Sequence, residues 1–264
     1  MIETMYNQNH QTKVTLVAHS MGGLVSLYFL TRFNGINQAW KDKHIHAYIP
    51  IAAAWSGGVG TLQVVISGNR GVPSFIPFLN RAVGSFVVPT TRTFESLPWI
   101  FPTATAFGNR VLISTPQKRY TANGYAQLFR DIGYLNGYSI FQRVQSLVGD
   151  YPAPNVPTYC YYGTRVQTPV SFHYNRDFYR VRSTVGLTST VVYGDGDGSV
   201  NTESSRICHR WSNMRYPFRS SIFPNREHLA IVKDNNVLSN IANIVQAGSR
   251  TSRPTNPFQN LFGR

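Results

Sequence analysis

The chain has 264 residues, 42% of them hydrophobic and 14% charged, which is enough apolar material for one sizeable core or for a core with an inserted cap. No stretch reaches the roughly 18 uninterrupted apolar residues of a membrane-spanning helix, and Met1 to Lys13 is too polar for a signal peptide. The 25 Lys and Arg against 11 Asp and Glu give a net charge of +14, which favours anionic partners, with a merely solvated basic surface an equal alternative. Zinc-finger spacing, an RNA-recognition signature and a compact Lys/Arg run are all missing from the sequence, so nucleic acid is not the expected partner and an acidic lipid surface is.

In chain order, Ile2 to Tyr6 reads as the end of a helix. Val14 to Ala18 reads as a parallel strand buried on both faces. Gly23 to Arg32 is apolar almost all round, the pattern of a buried helix. Ala47 to Ala54 is a second central strand, closed by Trp55-Ser56-Gly57-Gly58. From Val59 to Pro154 the texture changes to Pro, Gly and aromatic residues, with a helix-like Tyr125 to Tyr134, and this reads as an inserted cap. Strand character returns at Thr158 to Tyr162 and at Ser189 to Tyr193. A helix is predicted over Thr202 to Trp211, a strand over Arg219 to Phe223 and a last helix over Asn235 to Gln246. The Ser/Thr/Pro/Asn-rich tail Gly248 to Arg264 is expected to be disordered. Strands alternating with helices make the fold α/β. The divisions are 1–58 (core), 59–154 (cap or lipid-binding insertion), 155–247 (core) and 248–264 (tail).

A serine hydroxyl becomes a nucleophile only beside a base. Ala18-His19-Ser20-Met21-Gly22, between a buried strand and a buried helix, has the small residues that a nucleophile elbow needs two before and two after its serine. The Met21 N–H then stands at a helix N-terminus, where an oxyanion is stabilised. The acid and base should follow in that order. Tyr193-Gly194-Asp195-Gly196-Asp197-Gly198-Ser199-Val200 offers two aspartates after a strand, of which Asp197 is preferred, with Asp195 shaping the loop. A calcium loop fails here, because Val200 and Arg206 occupy the places of the invariant Gly and the bidentate Glu. Only His209 and His228 come later. His209 lies in a predicted helix, whereas His228 lies in a loop before the last helix, the better place for a base; order excludes His19, His44 and His46. Spacing leaves Cys160 and Cys208 open between buried free thiols and a disulfide, the latter implying an oxidising compartment.

Several islands, in order from Ile2 to Ile244, resemble the lecithin–cholesterol acyltransferase family, most closely its lysosomal phospholipase A branch. They are Val17-Ala18-His19-Ser20-Met21-Gly22, Leu27-Tyr28-Phe29-Leu30, Ala39-Trp40-Lys41-Asp42-Lys43, the Trp55 loop, Phe129-Arg130-Asp131-Ile132-Gly133, Cys160-Tyr161-Tyr162-Gly163-Thr164, Gly194 to Asn201 and Glu227-His228. The resemblance implies an α/β-hydrolase fold with an inserted cap. It places the nucleophile on Ser20, the acid on Asp197, the base on His228, an oxyanion donor on Met21, a disulfide on Cys160 and Cys208, and Trp55 beside the acyl pocket as a substrate-binding residue. It implies release of a fatty acyl group from a glycerophospholipid through an acyl-serine, and its transfer to water or a lipid alcohol. The setting would be a membrane or lipoprotein surface, with no metal or cofactor. A lysosomal or extracellular location follows for the full-length parent.

The Trp55 loop, Ala52-Ala53-Ala54-Trp55-Ser56-Gly57-Gly58, is one residue longer than the family's, and the sequence lacks an Asn-x-Ser/Thr sequon. Ser20 stands close to Met1, so the family's early strands, its lid with the first disulfide and its second oxyanion donor are expected upstream, and this chain reads as N-terminally truncated. A catalytically impaired fragment or lipid-binding remnant is the competing expectation.

Overall fold

The computed structural model describes residues 1–68 and 77–251. The chain opens with helix α1 (Ile2–Gln8) and strand β1 (Val14–His19), then helices α2 (Met21–Arg32) and α3 (Gln38–His44) and strand β2 (Ile45–Ile51). Next come α4 (Gly60–Ile66), α5 (Pro77–Arg92) and the one-turn helices α6 (Ser96–Trp99) and α7 (Ala104–Phe107). The two-residue strands β3 (Ile113–Ser114) and β4 (Arg119–Tyr120) precede α8 (Tyr125–Asp131) and α9 (Gly137–Ser146). Strands β5 (Thr158–Thr164), β6 (Thr168–Tyr174) and β7 (Ser189–Gly194) lead to α10 (Thr202–Ser205), strand β8 (Phe218–Pro224) and α11 (Asn235–Thr251).

Two sheets result. In the first, β1, β2, β5 and β8 run parallel in that order, flanked by helices. A parallel strand between two neighbours needs cover on both faces, and β2 has it: all its residues except His46 are buried. This is the α/β architecture with a parallel core sheet that an α/β-hydrolase-like fold requires. The sequence reading of β1 as buried on both faces is corrected. Among the described residues β1 pairs only with β2, so it is an edge strand, and Val17 is 50% exposed. The expectation of an all-round buried α2 is corrected for the same reason. Leu24, Leu27 and Leu30 pack inward at helical spacing while Val25 is 50% exposed, because α2 has the sheet on one side only.

The second sheet, in the order β4-β3-β6-β7, is mixed and joins short strands at 113–120 to longer ones at 168–194. The predicted strand at Ser189 to Tyr193 is its β7. Strand β6 went unread in the sequence, since Pro169 and a bulge between Pro169 and Ser171 break its alternation. The aromatic residues of the 59–154 stretch gather in a core beside this sheet. There Tyr125 stacks on Phe129 at 5.5 Å and Phe129 also meets Phe101 at 5.9 Å.

The predicted helix at Thr202 to Trp211 is α10 continued by a 3₁₀ turn, Arg206–Trp211. Helix α11 runs to Thr251 rather than stopping at Gln246, so Gly248 to Thr251 is helical; the rest of the expected disordered tail, 252–264, lies outside the described residues. Among the described residues no helix is long and apolar enough to cross a membrane.

Candidate active site

Strand β1 delivers Ser20 into a tight turn before α2. Ser20 has φ 56° and ψ −127°, a conformation an L-residue adopts at a cost of about 1–3 kcal/mol. Its N–H donates to the Ile51 carbonyl at 3.0 Å, so the end of β2 helps to hold the strain. Met21 opens α2, where the first N–H groups have no acceptor within the helix.

The glycines after the serine are not equivalent. A Cβ on Gly22 would meet only Ala18 Cβ, at an ordinary 3.9 Å. A Cβ on Gly23 would stand 2.5 Å from Ala53 Cβ and 3.3 Å from the Trp55 ring. Gly22 is the small residue that the elbow pattern places two after the serine, but the close approach that brings α2 onto the β2 end falls at Gly23. Gly23→Ala is therefore expected to cost about 1–3 kcal/mol by overpacking and Gly22→Ala much less, a ranking that urea melts of the two variants would check.

Asp197 lies in the loop after β7, bridged to Val166 just past β5. It is 1% exposed, and its Oδ1 accepts the N–H groups of Ser199 (2.9 Å) and Val200 (2.7 Å). His228 follows β8; its Nδ1 lies 2.7 Å from Asp197 Oδ2 and its backbone N–H donates to the Asp197 carbonyl at 2.8 Å. His228 Nε2 is 2.8 Å from Ser20 Oγ. The structure thus brings Ser20, His228 and Asp197 into one hydrogen-bonded line from three segments remote in sequence. Asp195 does not touch His228: it accepts the Arg165 N–H and the Thr202 hydroxyl, bracing the loop. His209 pairs with the Tyr162 hydroxyl at 3.0 Å, away from this line.

His19 belongs here although chain order excludes it as the base. Its Nε2–H donates to the His228 carbonyl at 2.8 Å and the two rings lie 4.8 Å apart. The available signal was its place at the end of β1, next to Ser20. Burial pulls the His19 pKa below the ordinary imidazole value, against the bond to His228 that raises it. The neutral form is thereby favoured in the folded chain. This contribution to stability is complete above the unfolded value of about 6.5 and is lost as pH falls below it. The stability advantage of the wild type over His19→Gln should shrink between about pH 7.5 and about pH 5, as read by thermal melts.

Trp55 is 1% exposed and lies under the first turn of α2, edge-on to Trp211 at 5.0 Å, with no hydrogen-bond partner for its buried Nε1. Cys160 and Cys208 form a disulfide between β5 and the 3₁₀ turn that follows the Asp197 loop. Among the described residues no group of three or more His, Cys, Asp or Glu side chains is placed to hold a metal ion.

Comparison with known proteins adds the lineage. A chain of the crystal structure of a Tle4–Tli4 complex aligns with 96% of this chain and 64% of its own length at a TM-score of 0.57 and 15% identity, a likeness of fold. The "Lysosomal phospholipase A and acyltransferase" of Canis lupus familiaris is 34% identical over 248 residues, covering 93% of this chain and 56% of that protein. The "Phosphatidylcholine-sterol acyltransferase" of Gallus gallus is 36% identical over 217 residues, covering 81% of this chain and 49% of that protein. The chain thus spans about half the length of the curated relatives it matches. Residues 1–235 match the profile of the family described as "Lecithin:cholesterol acyltransferase". The chain belongs to the lecithin:cholesterol acyltransferase family.

Proposed function

We propose that the chain is a serine-dependent lipid acyl hydrolase and O-acyltransferase. Ser20 is its nucleophile, His228 its general base and then acid, and Asp197 the group that orients the imidazole. One observation carries this reading: the continuous line Ser20 Oγ–His228 Nε2–His228 Nδ1–Asp197 Oδ2 at 2.8 and 2.7 Å.

With its Nδ1–H donated to Asp197, His228 keeps a lone pair on Nε2 for the Ser20 proton. Ser20 Oγ attacks the ester carbonyl of a glycerophospholipid as that proton passes to Nε2. The Met21 N–H donates to the resulting oxyanion. The carbon–oxygen bond to the lysophospholipid then breaks, and its alkoxide takes the proton from His228. Water or a lipid alcohol gives a proton to His228 and attacks the acyl-serine, and the same steps in reverse order free Ser20. Trp55, buried under the first turn of α2, is in this reading the substrate-binding residue beside the acyl pocket. The family membership, the names of both groups of relatives and the +14 charge support work at an anionic membrane or lipoprotein surface, in a lysosomal or extracellular setting. The identities to lysosomal and sterol-directed relatives are alike, so the lysosomal phospholipase branch rests on the sequence islands alone.

Fluorophosphonate labelling tests the assignment. Wild type should be labelled, and Ser20→Ala and His228→Ala should not. A wild type that resists the probe, or a Ser20→Ala that still takes it, overturns the reading. Vesicle flotation without labelling or fatty-acid release would leave a lipid-binding module in its place.

A further inference from the structure

The segment between β6 and β7 and the facing side of α5 line an open pocket of about 620 Å³, its four arginines exposed, that none of the triad residues lines. Arg81, Arg176, Arg180, Arg182 and Ser183 line it together with apolar residues, and among the described lining residues none is a carboxylate. The nearest acid in sequence, Asp177, is already engaged. Its Oδ1 accepts the Thr115 hydroxyl (2.6 Å) and the Gln117 N–H (3.0 Å), and its Oδ2 is 3.9 Å from Arg180 Nε. Arg180 also donates to Gln117 Oε1 and lies over the Tyr179 ring. Among the described residues no carboxylate lies within ion-pair distance of Arg81, Arg176 or Arg182.

These arginines converge because the backbone beneath them is pinned. Phe178 is buried between the rings of Tyr174 (5.0 Å) and Tyr120 (5.9 Å). The buried Thr184 hydroxyl donates to the Ile66 carbonyl at 2.6 Å, and the Gly186 N–H donates to the Ser67 carbonyl at 3.0 Å. Gly186 has φ +74°, and a Cβ there would stand 2.7 Å from Arg81 Cα, so α5 rests directly on the segment that carries the other three arginines.

Like charges gathered in one cavity repel within a screening length of about 8 Å at physiological salt. An anion with several acceptor oxygens turns that repulsion into attraction, and the planar guanidinium fork matches the oxygens of a phosphate. We propose that this cavity is a binding site for a phosphomonoester dianion, carried on a lipid headgroup or free in solution. The proposal does not rest on the chemistry at Ser20.

The test uses the full chain in two arms: calorimetric titration with inorganic phosphate at constant ionic strength, and flotation with phosphatidylcholine vesicles with and without phosphatidic acid. Arg176→Ala/Arg182→Ala should weaken binding at least about tenfold in every arm where the wild type binds. Arg215→Ala/Arg219→Ala removes the same charge outside the cavity and should leave binding within about twofold; thermal melts establish that both variants are folded. Binding in both arms supports a site for the phosphate group itself, and binding only to phosphatidic acid vesicles supports the headgroup as its source. No binding in either arm overturns the proposal. So does binding that survives Arg176→Ala/Arg182→Ala, or that falls equally in the control pair.

Discussion

Ser20→Ala and His228→Ala should each lower turnover by about 10⁶-fold and Asp197→Ala by roughly 10⁴-fold, with the triple variant scarcely worse than the worst single one. In the proposed mechanism the three side chains act as one unit: without Ser20 there would be no acyl acceptor, and without His228 nothing would take its proton. Asp197 costs less because its share is orientation and charge. Its Oδ1 is held by two loop N–H groups, and only Oδ2 reaches His228. The backbone bond from His228 N–H to the Asp197 carbonyl would survive Asp197→Ala and keep the imidazole near its place. Single-turnover release of fatty acid from vesicles reads these values. Additive losses across the three positions would mean that they do not share a step.

Removing the Cys160–Cys208 disulfide, as Cys160→Ala/Cys208→Ala, should be the largest single loss of stability. The two half-cystines are 48 residues apart, and a cross-link over that loop restricts the unfolded chain by about 4 kcal/mol. That corresponds to a melting temperature lower by roughly 10 °C for a chain of this size. The closed loop contains β6, β7 and Asp197, and both sulfurs are buried in the core under the elbow. The loss should therefore also appear in turnover, since a looser Asp197 loop no longer fixes His228. Scanning calorimetry with parallel activity measurements would check both effects, and a double variant that melts with the wild type would show that packing alone holds this loop.

What could be read from the residues was local in origin. An apolar run, a serine among small residues and a helical pattern all lie within Val14 to Arg32, so the elbow was legible there; the Gly-rich loop with Asp197 and the late His228 were each legible in their own segments. The cysteine pair was not decided by spacing, because a free thiol and a half-cystine are equally apolar in a core. Asp195 and Asp197 share one glycine-rich context, and only the fold separates them: the loop turns Asp197 inward to His228 and Asp195 outward to Arg165 and Thr202.

The sequence by itself determined the α/β class, the place of the serine turn and the basic net charge. Each of these follows from composition or from neighbours within one element. Only the tertiary structure decided that β1 is an edge strand among the described residues, that Gly23 rather than Gly22 bears the close contact, that His19 braces His228, and that four arginines line one pocket. Those facts depend on contacts between segments far apart along the chain, and burial, close approach and convergence of charge are properties of the packed chain rather than of any stretch of it.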